Sequence, residues 1–299
     1  MKRTTDIADI QNQFQPQLWA LPQATPKQAP RWQSAPTDLA LAAAGFAPIS
    51  LKQMDAVALL NRVDTKFVLP IGQLLQTLAV LQSDYWVLAV NGHRLNHYRT
   101  LYFDTPDFAL YNLHVNDRAD RYKVRSRQYL DSGDSFLEVK HKTRKDRTVK
   151  ERIATGQPVT HLTRETEDWL RTVFPYDAHD LEPRLWNTFT RITLVSRQHC
   201  ERVTLDLDLT FHTPAQLARL DGLAVAEVKL NLGHTGSLFL AQMRALHVQP
   251  RGFSKYCIGV SMLYDQVKKN ALKPKLLWLD RMTTGEMAAA VPGVWQTAA

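Results

Sequence analysis

Arg121-Tyr122-Lys123-Val124-Arg125-Ser126-Arg127 is followed, one short polar turn later, by Phe136-Leu137-Glu138-Val139-Lys140-His141-Lys142. The first run carries charge at every second position, and the second does so from Glu138 onward. Successive side chains of a strand point to opposite faces. The first run therefore predicts a strand with Arg121, Lys123, Arg125 and Arg127 on one face and Tyr122, Val124 and Ser126 on the other. The second predicts Glu138, Lys140 and Lys142 on one face, with Leu137 and Val139 opposite.

The same period recurs outward in both directions. Lys150 and Arg152 share a face in the next run, and Arg202, Thr204, Asp206 and Asp208 stand against Val203, Leu205, Leu207 and Leu209. Glu227 and Lys229 oppose Ala226 and Val228, Lys66 shares a face with Asp64, and Arg191 lies between Thr190 and Ile192. Alternating runs at residues 85–90 and 96–105 complete the set, many of them bounded by Gly, Pro, Asp or Asn. Helical spacing predicts helices over Leu51–Arg62, Ile71–Leu81, Leu162–Phe174, Gly236–Leu246 and Ile258–Lys268. Many alternating strands with few helices between them define an α+β class: an antiparallel sheet or barrel with helices packed outside. Residues 1–45 read as a polar, disordered leader, 46–270 as one domain, and 271–299 as a loosely packed tail.

The bland account of the alternating charges is the wet face of an antiparallel sheet. Cations two apart on a strand lie ~7 Å from each other, which at an effective dielectric of about 20 is roughly 2 kcal/mol of repulsion per pair. Repeating the pattern on neighbouring strands adds like charges opposite one another. A polyanion lying among them turns that repulsion into binding, so the set reads as a phosphate-gripping surface. Glu138 and Glu227 interrupt it, each two residues before a lysine in the form Glu-Val-Lys. Beside phosphates a carboxylate needs a bridging divalent cation such as Mg²⁺ or Mn²⁺, or else acts as a salt-bridge spacer. Glu227 is the stronger metal candidate. Ser254 reads as the N-cap of a helix presenting free amides beside Lys255.

The totals agree with an anionic ligand. The chain has 299 residues and a formal net charge of +8 at pH 7, with 44% hydrophobic and 22% charged residues. That is an ordinary globular composition with a preference for anions. Cys200 and Cys257 are too few to staple a fold of this size, and a reducing compartment is expected. The first residues lack the apolar run of a secretory signal, and no stretch approaches the ~18 apolar residues of a membrane span. A soluble, cytoplasmic protein is expected. The ten histidines form no ligand cluster by spacing. No phosphate-binding Gly-Lys-Ser/Thr loop, no Gly-x-Ser-x-Gly and no His-Glu-x-x-His occurs. The strands lack the interleaved aromatics of a base-stacking platform, which argues against nucleic acid.

Taken in order, Arg62-Val63-Asp64-Thr65-Lys66-Phe67, Tyr102–Thr105, Arg121–Arg127, Phe136–Lys140, Thr148–Arg152, Arg202–Asp206, Glu227–Lys229 and Phe253–Tyr256 resemble the polyphosphate polymerase domain of the vacuolar transporter chaperone (VTC) family. That family lies within the CYTH-like triphosphate tunnel metalloenzymes. The resemblance runs from about Leu51 to Leu263. It implies a tunnel of antiparallel strands in which Lys66, Arg125, Arg127, Lys140, Lys150, Arg191, Arg202, Ser254 and Lys255 line the interior and hold phosphates. The eight cations among them form the expected catalytic set. Lys142, Arg152 and Lys229, on the same faces, join the phosphate contacts. Glu227, with Glu138 as a second candidate, would hold Mn²⁺ or Mg²⁺. The implied activity transfers the γ-phosphoryl group of ATP onto a polyphosphate chain. The alternatives are a tripolyphosphate or nucleoside triphosphate hydrolase, and a binding module without turnover. The family often has Tyr where this chain has Phe189. The regulatory domain and membrane helices of eukaryotic members have no counterpart in the sequence, which leaves association with a membrane partner open.

Overall fold

A computed structural model of the chain describes residues 37–55, 62–145, 147–231 and 236–284. The elements run α1 (Thr37–Ala44), β1 (Ala47–Ile49), α2 (Leu51–Asp55), β2 (Arg62–Pro70), α3 (Ile71–Leu81), β3 (Tyr85–Leu88), β4 (Asn96–Asp104) and α4 (Ala109–Val115). They continue β5 (Arg121–Tyr129), β6 (Ser135–Lys142), β7 (Thr148–Ala154), α5 (Arg164–Val173), β8 (Glu182–Ser196), β9 (Glu201–His212), β10 (Leu217–Leu220) and β11 (Leu223–Asn231). Three helices close the chain: α6 (Leu238–Ala245), α7 (Lys255–Leu263) and α8 (Lys273–Thr283).

The main sheet runs β2-β11-β9-β8-β4-β5-β6-β7, with β10 against β9 and β3 against β8. Every pairing is antiparallel except the short parallel β1–β3 ladder. The α+β class is as expected. The sheet curls as a half-barrel, with β2 and β7 as its edges among the described residues. β7 is exposed and carries Lys150, Glu151 and Arg152 in succession, charges that blunt a sheet edge.

Register turns the alternation of single strands into rows. Lys66 faces Glu227, which faces Thr204, and Arg191 faces Asp206. Arg125 faces Glu138, which faces Arg152, and one step along Lys123 faces Lys140, which faces Lys150. All of these point to the concave side. One member departs from the expected row. Asp208 has a left-handed φ of 53°, and the β8–β9 register shifts between Thr188 and Thr190. This bulge throws Asp208 out to solvent and turns Leu209 and Phe211 into the concave core.

The sheet buries apolar residues on both sides. Phe67, Leu69, Leu194, Leu205 and Ala226 pack on the convex side with Leu39 and Ala43 of α1, Leu74 and Leu78 of α3 and Phe239 of α6. At one end of the concave side Val68, Tyr102, Leu185, Phe189, Phe211 and Val225 pack with Tyr256, Ile258 and Val260 of α7 and Leu279 of α8. This is why Phe67-Val68-Leu69 is continuously apolar: a strand covered on both faces loses its alternation. The polar part of the concave face starts at the N-terminal end of α7, where Lys255 meets Asp206.

Helix α3 has the bounds the spacing predicts, starting behind Pro70, whose fixed φ of −61° and missing N–H suit a helix entry. Four differences concern helices, the first being that the helix expected over Ile258–Lys268 runs Lys255–Leu263, capped by Ser254. Residues 37–44, expected in the leader, form α1 because Leu39 and Ala43 fall one turn apart on a buried face. Residues 273–283, expected in the tail, form α8, anchored by Leu279. Helix α4 was not expected. It starts at Phe108, left-handed at φ 60°, because the buried Asp104 carboxylate accepts from the backbone N–H groups of Leu110 and Tyr111, both at 2.8 Å. The remaining leader and tail, residues 1–36 and 285–299, and residues 56–61 of the helix expected over Leu51–Arg62, lie outside the described residues. No described helix is long and apolar enough to cross a membrane.

Candidate functional site

The concave face is organised around three carboxylates, each gripped by two cations. Glu227 on β11 accepts from Lys66 Nζ at 3.0 Å through Oε1 and from Lys229 Nζ at 2.9 Å through Oε2. Glu138 on β6 pairs with Arg125 Nη2 at 2.7 Å through Oε2 and with Lys150 through Oε1. Asp206 on β9 receives both Arg191 Nε at 2.5 Å and Arg191 Nη2 at 2.8 Å, and pairs also with Lys255 at the start of α7. A bidentate Arg–carboxylate pair fixes orientation as well as distance.

Electrostatics follow from this pairing. Burial opposes the Glu138 charge, but Arg125, Arg127 and Lys150 outweigh it and hold the carboxyl at about 2. Asp206 is likewise buried, yet Arg191 and Lys255 hold it at about 2. Glu227 is driven far below the carboxylate range by Lys229 and Lys66, against its own desolvation. The lysines pay for burial. Lys255 falls to about 8 because desolvation outweighs Asp206. Lys140 falls to about 8 through desolvation, opposed by Glu227 and reinforced by Arg125, Lys123 and Lys66. Glu227 and Lys66 sit on strands remote from β6 in the sheet order, so their influence on Lys140 reports the curl that turns β6 toward β11 and β2.

An aromatic platform carries the Asp206 cluster. Tyr98 and Phe189 stack with centroids 5.0 Å apart and planes 7° from parallel. The Arg191 guanidinium lies 5.0 Å from the Tyr98 centroid and 5.2 Å from that of Phe189, and Lys255 Nζ lies 4.5 Å above Phe189. Cation–π attraction of this kind needs no hydroxyl, so Phe189 supports the cations here through its ring. Arg127, almost buried, donates from Nε to Thr100 Oγ1 at 3.2 Å beside the same rings.

The remaining expected residues lie around these clusters. Arg202 donates from Nη2 to the Met54 carbonyl at 3.2 Å, which ties it to α2. Arg152 is exposed, its guanidinium 4.5 Å from the Phe136 ring, and Lys142 pairs in register with Arg121 and Thr148. Ser254 caps α7 as expected, its Oγ accepting from Cys257 N at 3.2 Å, and this bond engages the side chain expected to contact phosphate. Asp104 of the Tyr102–Thr105 stretch is structural: besides starting α4 it accepts from the Tyr256 hydroxyl of α7 at 2.5 Å. Asp206 was legible only as a member of an alternating row; nothing in the sequence marks it as the partner of both Arg191 and Lys255.

The chemistry of the donor set bears on the expected divalent metal. Mg²⁺ is commonly held by one or two carboxylates plus substrate phosphate oxygens. Glu227, with 20% of its side chain exposed, is the most open of the three carboxylates, against 1% for Glu138 and 5% for Asp206. Glu227 fits a one-carboxylate site completed by phosphate. Glu138 fits less well as a second ligand, because its side chain is almost wholly buried between Arg125 and Lys150. Among the described residues no three His, Cys, Asp or Glu side chains converge as a metal cage.

Fold and site together define an α+β protein whose curled antiparallel sheet presents a buried, strongly basic concave surface. A model of the VTC domain matches residues 61–264, and the chain belongs to the VTC domain family. No curated protein matches the chain. Among solved structures it is similar to a candidate adenylate cyclase from Vibrio parahaemolyticus, 16% identical, covering 67% of this chain and 98% of that one with a TM-score of 0.41. It is also similar to a candidate adenylate cyclase from Bacillus halodurans, 12% identical over 69% of this chain and 98% of that one, TM-score 0.41. A third is a candidate adenylyl cyclase from Hippeastrum described as having a dominant triphosphatase activity, 12% identical over 67% and 95% of the two chains, TM-score 0.41.

Proposed function

We propose that the protein is a metal-dependent polyphosphate polymerase that transfers the γ-phosphoryl group of ATP onto a polyphosphate chain held on the concave face. The observation that carries the proposal is the set of six cations on six different elements converging on one concave surface, far more positive charge than three carboxylates neutralise. A linear polyanion is the ligand that uses such a surface along its length. Phosphoryl transfer needs positioned groups and neutralised charge more than a protein nucleophile.

In this reading Lys66, Arg125, Lys140, Lys150, Arg191 and Lys255 bind the phosphates and hold donor and acceptor in line. Arg127, braced by Thr100, adds charge at the aromatic end. Lys229 keeps Glu227 ionised and oriented, while Glu138 and Asp206 space the cations they bridge. A bound Mn²⁺ or Mg²⁺ on Glu227 would supply charge neutralisation between phosphate oxygens.

Product analysis after incubation with ATP across a series of divalent metals tests this. Long polymer formed only with metal is the expected result. Release of phosphate or pyrophosphate without polymer would replace polymerisation by triphosphate hydrolysis, and tight polyphosphate binding without any product would leave a binding module.

A further inference from the structure

Three carboxylates account for six of the concave-face cations. Glu138 holds Arg125 and Lys150, Asp206 holds Arg191 and Lys255, and Glu227 holds Lys66 and Lys229. Two lysines are left over. Lys123 and Lys140 stand directly opposite each other in the β5–β6 register, and among the described residues neither ammonium has a hydrogen-bond or ion-pair partner. The charges around Lys123 are Arg125, Arg121 and Lys66, joined by the Cys257 thiol from the first turn of α7. Around Lys140 they are Arg125, Lys123 and Lys66, with Glu227 the one anion in reach.

Like charges directly opposite on antiparallel strands destabilise a sheet, and burial raises the cost of each charge. Both Lys123 and Lys140 are accordingly pushed toward the neutral form, by desolvation first. For six other cations of this face the fold supplies one carboxylate to every two. At this pair no carboxylate is bonded to either ammonium.

We infer that Lys123 is a phosphate-holding residue, and that with Lys140 it forms the seat for one phosphate group deep on the concave face, beside the first turn of α7. The inference rests on the triphosphate reading of the site and deepens it. A phosphate approaching the paired cations must compete with a resident carboxylate. At Lys123 and Lys140 no carboxylate is bonded to either ammonium, Glu227 acting on Lys140 only from a distance, and the phosphate relieves a standing repulsion, so this pair anchors the chain.

The test is calorimetric titration of the full chain with inorganic tripolyphosphate, using wild type, Lys123→Met and Lys123→Arg, together with thermal melts without ligand. A hydrogen bond to a charged group corresponds to about tenfold or more in affinity, so Lys123→Met is expected to weaken binding by at least that factor. Its unliganded Tm stays level or rises, because a repelling charge has gone, and Lys123→Arg keeps most of the affinity. If wild type binds and Lys123→Met binds within about twofold of it, the inference falls and the triphosphate reading stands. A clear drop in the unliganded Tm of Lys123→Met would assign the residue a structural role and likewise overturn it. If wild type itself fails to bind tripolyphosphate, both readings fall.

Discussion

Glu227 and Glu138 occupy the same Glu-Val-Lys sequence and receive two cations each, yet their exposures differ by the depth of the row in which they sit. The more open Glu227 is the residue whose charge can be shared with a ligand. Glu227→Gln is therefore expected to abolish metal-dependent turnover of ATP while tripolyphosphate binding remains measurable by calorimetry; full activity in that variant would remove Glu227 from the mechanism. Lys255 yields a pH prediction. Burial lowers it to about 8, with Asp206 opposing the shift, so its charge is present below pH 8 and lost above. A bound phosphate favours the charged form. Affinity for tripolyphosphate should fall as pH rises through 8, and binding near that pH should take up protons. Calorimetry in two buffers of different ionisation enthalpy would detect the uptake.

Strands β5 and β6 were readable because charges recur at every second position, Arg121 to Arg127 and Glu138 to Lys142, with Tyr122, Val124, Leu137 and Val139 on the opposite faces. The mutational consequence belongs to the strand: Arg125→Ala with Arg127→Ala should weaken tripolyphosphate binding by at least tenfold, the scale of one lost charged hydrogen bond, as measured by titration. Helix α7 depends on a closer fit. A Cβ added at Gly259 would come within 2.6 Å of both Leu185 Cδ2 and Phe211 Cδ1, and both side chains are fully buried. Overpacking of this kind costs about 1–3 kcal/mol, so Gly259→Ala should lower the Tm measurably and loosen the helix that carries Lys255. Helices α4 and α8 were not legible. Helix α4 is nucleated by Asp104 from the preceding strand, and α8 by Leu279 reaching a core built from distant strands, and neither cause leaves a periodic signature in its own segment.

Across the molecule, the curl of the sheet brings cations from β2, β5, β7, β8, β11 and α7 onto one concave face. Two bulk measurements follow. Burial and pairing make the site less sensitive to screening than surface pairs, but a polyanion bound by several cations still loses affinity as salt rises, so tripolyphosphate affinity should decline steadily with added salt. Asp206 and Glu138 have folded pKa values depressed to about 2. A depressed carboxyl contributes stability fully above its unfolded value, near 4, and loses it as pH falls toward the folded value. Acid titration followed by circular dichroism should show stability declining from about pH 4 to 2, and Asp206→Asn should flatten that decline.

By itself the sequence determined the α+β class, the strands, and which face of each strand is charged, because alternation is a local property dictated by backbone geometry. It also placed the cations and Glu227 in an order that resembles the VTC domain. Only the tertiary structure decided their partners. Asp206 joins Arg191 to Lys255 because β9 and β8 pair in one register and α7 docks beneath them. Lys123 and Lys140 face each other without a counter-ion because β5 and β6 pair in another. Which charge meets which is a matter of register and curl, and these are settled by packing between segments far apart in the chain.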